Sequence, residues 1–200
     1  MLDAEGTMAR LDDVRPESVG PELRPLVERI AAERGQVSPL YRVLLHSPVI
    51  ARGWLALGTA VRLEAALDPK LRELTILQVG YLLQADYEFS HHYPIALKHG
   101  ATAEQVAALP AFETSPLFDE RERDALRFAK VSTLDVRVPD AVYEAVRRHL
   151  DPQTMLELAV TVSFYNGVCR LIHALGIELE PDHPSWLSAL GLAAERQPGA

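Results

Sequence analysis

The chain of 200 residues is 48% hydrophobic and 24% charged, ordinary values for a globular protein long enough to bury a sizeable core. Its 20 Lys and Arg stand against 28 Asp and Glu, a formal net charge of −8 that gives no general pull toward nucleic-acid phosphates or anionic lipid; neither nucleic acid nor membrane is expected as a partner. A single cysteine, Cys169, excludes an intramolecular disulfide, a Cys-x-x-Cys redox couple and a cysteine-rich zinc site.

Residues 1–20 read as a flexible N-terminal arm punctuated by Pro16 and Gly20. Met1–Arg15 has no apolar stretch of signal-peptide type, and no apolar run approaches roughly 18 residues, so a cytoplasmic protein without a spanning helix is expected. Glu22–Arg34 carries Leu23, Leu26, Val27 and Ile30 at helical spacing, with Gly35 as the stop. Ser38-Pro39 and Ser47-Pro48 open two further helices, the second running to about Ala66. Asp68-Pro69 opens a helix that is apolar on most sides and therefore buried. Asp86 is expected to cap the next helix, which runs to about His99 before Gly100. Thr102 and Gln105 form a capping box, 110–118 is a loop, and Asp119–Leu134 is an amphipathic helix. Pro139 and Asp151-Pro152 open the last two long helices, the latter stopped by Gly176.

No segment alternates with period two, so the chain is predicted to be all-α: a single helical domain over 21–180, then a C-terminal tail over 181–200 whose Trp186, Leu187 and Leu190 dock on the body. A weak internal repeat relates Leu71-Arg72-Glu73-Leu74 to Met155-Leu156-Glu157-Leu158, each followed by a histidine, His92 or His173.

The candidate chemistry lies between Glu73 and His92. On one helix Glu88 and His92 are i and i+4 and share a face, whereas His91 points about 100° away from His92. A carboxylate beside an imidazole is an acid–base pair. Glu73, on the preceding buried helix, could supply a second carboxylate, its pKa raised by burial toward a proton-donor role. Pro94 either kinks this helix or breaks it, and a break would undo the i,i+4 geometry. Glu88, His91 and His92, with Glu73, also have the donor atoms of a divalent-metal site, but helical spacing turns His91 aside, so no metal is expected.

These residues resemble a known family. The run Arg72-Glu73-Leu74-Thr75-Ile76-Leu77, then Tyr87-Glu88-Phe89-Ser90-His91-His92, then Ala96 and Gly100, looks like the carboxymuconolactone decarboxylase-like branch of the alkylhydroperoxidase D superfamily. Leu156-Glu157-Leu158 and Phe164-Tyr165-Asn166 are similar to the same branch. The peroxidase members carry Glu, eleven residues, then Cys-x-x-Cys-x-x-x-His; here that pattern falls in register on Glu73, Ala85, Glu88 and His92, with both cysteines replaced.

The resemblance implies an alkylhydroperoxidase D-like helical bundle assembled as a homo-oligomer, a trimer or hexamer. It also implies an enzyme that acts on a small carboxylate or lactone without a cofactor. On this reading His92 is a general base, Glu88 its orienting carboxylate and Glu73 a proton donor; Arg72, Tyr87, His91 and Tyr165 contact substrate. Two alternatives stand beside it: the family's peroxidase (peroxiredoxin-type) activity, disfavoured without the cysteine pair, and a non-catalytic oligomer that binds a small ligand.

Overall fold

A computed structural model describes residues 9–194, which form helices and connecting turns with no strand among them. The arm and tail expected over 1–20 and 181–200 extend into 1–8 and 195–200, which lie outside the described residues. The chain divides into two compact units, 9–65 with 171–181, and 66–170 with 182–194.

The first unit holds α1 (Arg24–Arg34), α2 (Pro39–Leu44) and α3 (Pro48–Thr59). Gly35 ends α1 in the left-handed region at φ 83°, where a residue without Cβ carries no steric penalty. Ser38 and Ser47 occupy the N-cap positions without a side-chain cap bond, so the start signal comes from Pro39 and Pro48, whose fixed φ suits the first turn. Instead of continuing as an α-helix to Ala66, the chain widens after α3 into a π-turn over Ala60–Glu64, closed by the Ala65 amide on the Ala60 carbonyl at 2.9 Å. The Arg34 guanidinium holds this region from inside, donating to Thr59 Oγ1 at 2.8 Å and to the Tyr41 hydroxyl at 3.3 Å.

The second unit is built around α4 (Pro69–Leu82), in which every residue from Leu71 to Gly80 is buried. Asp68 caps it, accepting from the Leu71 amide at 2.8 Å. Then follow α5 (Asp86–Lys98), α6 (Ala103–Ala107), α7 (Glu120–Leu134), α8 (Asp140–Arg147), α9 (Pro152–Leu175, of which 171–175 count with the first unit) and α10 (Trp186–Ala189). The expected capping box at Thr102 and Gln105 is present, and a second, unexpected one joins Asp119 to Glu122 at the start of α7. Leu74, Leu77, Phe89, Tyr93, Leu126 and Leu187 meet in one apolar core, against which Trp186 and Leu190 pack. α9 is long and apolar enough, by length and composition alone, to cross a membrane. Its Met155, Leu158, Val162 and Val168 are buried, whereas Leu156 is exposed.

In the repeat, Glu157 accepts from the Leu67 amide at 2.7 Å and from Gln153 at 3.0 Å, and His173 is exposed.

α4 and α5 pack closely because Gly80 leaves room: a Cβ there would lie 3.3 Å from Phe89 Cβ and 3.4 Å from Phe89 Cα. Gly80→Val should lower the unfolding free energy by about 2 kcal/mol in urea titrations, through overpacking against the Phe89 backbone. An unchanged midpoint would show that α5 yields without cost.

Candidate active site

α4 and α5 are joined by a corner at Leu83, Gln84 and Ala85. Gln84 takes a left-handed φ of 52°, and the Ala85 amide returns to the Gly80 carbonyl at 2.9 Å. Asp86 is the first residue of α5 rather than its cap; Ala85 holds the cap position, and Asp86 Oδ1 accepts from the Ser90 hydroxyl at 2.9 Å. α5 runs unbroken through Pro94, so Glu88 and His92 keep their shared face.

The hairpin brings Glu73, Glu88 and His92 together. His92 Nδ1 lies 2.6 Å from Glu73 Oε2, and its Nε2 lies 3.2 Å from Glu88 Oε1. The ring is thus held between two carboxylates, one from each helix. Arg72 Nε donates to Glu73 Oε1 at 3.0 Å, so both oxygens of Glu73 are occupied. Glu73 is 0% exposed, His92 2% and Glu88 7%; Glu88 is the member nearest solvent.

Burial is the largest influence on Glu73 and acts to raise its pKa. The His92 charge and hydrogen bond, followed by Arg72, outweigh it and leave Glu73 below its usual range. The proton-donor role expected for Glu73 is therefore corrected: burial acts as foreseen, but two cationic partners hold the group as a carboxylate. Burial likewise pushes His92 down, and Glu73 and then Glu88 more than reverse it, so the imidazolium is favoured above its ordinary pH range.

The other expected site residues take different places. Tyr165 on α9 sets its ring edge-on to His92, with centroids 4.9 Å apart. Arg72 is buried, its Nε bound to Glu73. His91 turns away from the pair: its Nδ1 lies 2.7 Å from the Tyr87 carbonyl oxygen, and its ring packs between those of Tyr87 and His183. The metal-type cluster considered over Glu73, Glu88, His91 and His92 is thus divided, with both His92 nitrogens facing carboxylates. Ligand-type atoms also gather at Glu120, Asp124 and His149, which the sequence did not single out; Asp124 is held there by Arg127 at 2.8 Å and Arg148 at 3.8 Å. Cys169 is fully buried on α9, and burial, then the Glu88 charge, push its thiol well above the usual value.

An all-helical protein with a buried carboxylate–imidazole–carboxylate chain and no cysteine pair is the class that fold and site define. Residues 48–131 match the Carboxymuconolactone decarboxylase family. In sequence, the uncharacterized protein YdfG of Bacillus subtilis (strain 168) is 26% identical over 115 residues, 56% of this chain and 78% of that protein. In structure, the alkylhydroperoxidase AhpD core protein of Ralstonia eutropha JMP134, peroxidase-related and uncharacterized, superposes with a TM-score of 0.73 at 22% identity, over 88% of this chain and 95% of that one. The debrominase Bmp8 superposes with a TM-score of 0.73 at 18% identity, over 96% of this chain and 100% of its own. Residues 48–131 are thus similar to the carboxymuconolactone decarboxylase family, and the fold is that of the alkylhydroperoxidase D-like structures.

The pair should govern stability against pH. Glu73, with its folded pKa lowered, contributes in full above its ordinary 4.5 and loses that contribution as pH falls through the folded value. His92, with its folded pKa raised, contributes in full below its ordinary 6.5 and loses that contribution as pH rises through the folded value. The stability difference between wild type and His92→Gln should therefore be greatest between 4.5 and 6.5, about 3 kcal/mol by denaturant unfolding. A difference independent of pH would contradict the ion pair.

Proposed function

We propose that this protein is a cofactor-independent acid–base enzyme that moves a proton at carbon next to a carbonyl of a small carboxylate or lactone, in isomerisation or decarboxylation. The observation that carries this reading is the buried Glu73–His92–Glu88 chain. Such a chain can take up a proton and return it, the charge on the ring being offset by the carboxylate on either side. Carbon acids within reach of a carboxylate base are those activated by an adjacent carbonyl.

In this reading Glu88, the least buried of the three, meets the substrate. In isomerisation its carboxylate removes the proton alpha to the carbonyl, the electron pair passes into the carbonyl, and the same proton returns at the far carbon of the conjugated system. In decarboxylation the C–C bond to the carboxylate breaks, its pair enters the carbonyl, and CO2 leaves. The resulting carbanion is protonated through Glu88 from the His92 Nε2–H, and water restores that proton. Glu73 fixes the ring and holds its charge, and Arg72 offsets the Glu73 carboxylate. Tyr165, edge-on to His92, borders the place where substrate would lie. Compared with the sequence reading, the base moves from His92 to Glu88, and Glu73 acts as an orienting carboxylate.

A peroxidase route finds no support in these residues. Ala85 and Glu88 stand where the resemblance places the thiols, and Cys169 is buried with its thiolate disfavoured.

The test is an assay of isomerisation and CO2 release over a panel of small lactone and β-keto acids. Glu88→Gln should lower kcat by about 10²–10⁴-fold, while Cys169→Ala should leave turnover within about twofold of wild type. Equal rates for wild type and Glu88→Gln, or peroxide turnover abolished by Cys169→Ala, would overturn the reading.

A further inference from the structure

α5 carries a defect where the site is built. Pro94 has no N–H, so the Ser90 carbonyl loses the helical donor that residue i+4 would supply. This gap lies between Glu88 and the end of the helix, on the turn that holds His92. A proline inside a helix ordinarily kinks it or loosens the turn before it. α5 nevertheless stays one continuous helix through Pro94.

The C-terminal segment 183–194 is fastened along this stretch. The Trp186 amide donates to the Ser90 hydroxyl oxygen at 2.8 Å, and that hydroxyl donates to Asp86 Oδ1 at 2.9 Å. Ser90 is fully buried, so this relay is a fixed joint between the first turn of α5 and the start of α10. The Trp186 ring packs on Tyr93, the residue just before Pro94, with centroids 4.6 Å apart. The His183 ring packs on His91 at the same separation. At the corner before α5, Gln84 Nε2 donates to the Leu192 carbonyl at 3.2 Å, and Gln84 Oε1 accepts from the Ala194 amide at 2.6 Å. Leu187 anchors the segment in the apolar core.

The positions gripped are 84, 90, 91 and 93. They bracket Glu88 and flank His92 on both sides in sequence, and none of them touches the His92 ring nitrogens. We infer that the C-terminal segment is a splint for the site helix, with Trp186 and Ser90 as positioning residues that hold Glu88 and His92 in register with Glu73 across the Pro94 gap. The splint explains how a helix with an internal proline can keep a 2.6 Å and a 3.2 Å contact on one imidazole. Such contacts are steep in distance, and a shift of about 1 Å at a reacting pair costs up to about 100-fold in rate.

The inference has a structural arm that needs no substrate and a kinetic arm that rests on the proposed acid–base reading. The variants are Ser90→Ala, which removes the joint with little change in volume, and Trp186→Ala, with Trp186→Phe as the conservative partner that keeps the ring contact. In the structural arm, the His92 ring nitrogens are followed by NMR through a pH titration of the full chain. Ser90→Ala and Trp186→Ala should move the His92 midpoint down by about half a pH unit or more, and Trp186→Phe should restore it. In the kinetic arm, the same two variants should lower kcat by about tenfold with KM within about twofold. If Trp186→Ala does not fold, Ser90→Ala and Trp186→Phe still decide the matter. A His92 titration unchanged in Ser90→Ala, whatever its melting temperature, would overturn the splint. A shifted titration with no turnover in wild type would keep the splint and remove the acid–base reading.

Discussion

One hydrogen-bonded ion pair, His92 Nδ1 to Glu73 Oε2 at 2.6 Å, constrains the rest of the second unit. Two groups this deeply buried are tolerated only when each compensates the other and their remaining polar atoms are satisfied. Arg72 fills the second oxygen of Glu73, and Glu88 fills the second nitrogen of His92. With all four ionised their formal charges cancel. Deleting a member would leave its partner's charge less compensated in the interior, a cost of about 3–5 kcal/mol for a fully buried pair.

That requirement explains features of the fold that otherwise look unrelated. α4 must be buried on nearly every side because Glu73 sits in its middle turns. Gly80 must lack a side chain so that α5 can approach. Gln84 must enter the left-handed region so that the chain reverses within the three residues between the helices. Pro94, inside α5, weakens the turn that carries His92, and the C-terminal segment returns to the same turn. The family match over 48–131 spans the hairpin but not that segment.

Local chemistry was legible in the sequence. Asp68-Pro69, Thr102 with Gln105 and Gly35 mark helix ends through bonds and torsions made within a few residues, and they stand where expected. The i,i+4 relation of Glu88 and His92, and the divergence of His91, follow from helix geometry alone. What needed other parts of the chain was not legible. The 19-residue step from Glu73 to His92 crosses a corner whose shape depends on Gln84; the sequence offered Glu73 as a second carboxylate, and the family resemblance put it in register with His92, but neither gave the geometry of the corner. Asp86 looked like a cap, but its carboxylate is taken by Ser90 in a joint that depends on Trp186, 96 residues away in sequence. The direction of the Glu73 pKa was misjudged because burial can be guessed from an apolar helix, whereas the two cations around the carboxylate cannot. The π-turn after α3 left no recognisable mark in composition.

The most direct test of the central claim is the protonation state of His92 in the wild-type protein. Long-range ¹H–¹⁵N correlation of the His92 ring near neutral pH should show both nitrogens protonated, with one N–H donated to Glu73 and the other to Glu88, and a titration midpoint above the ordinary 6.5. A neutral ring with a single protonated nitrogen at that pH, titrating at or below the ordinary value, would contradict the charged chain and the chemistry built on it.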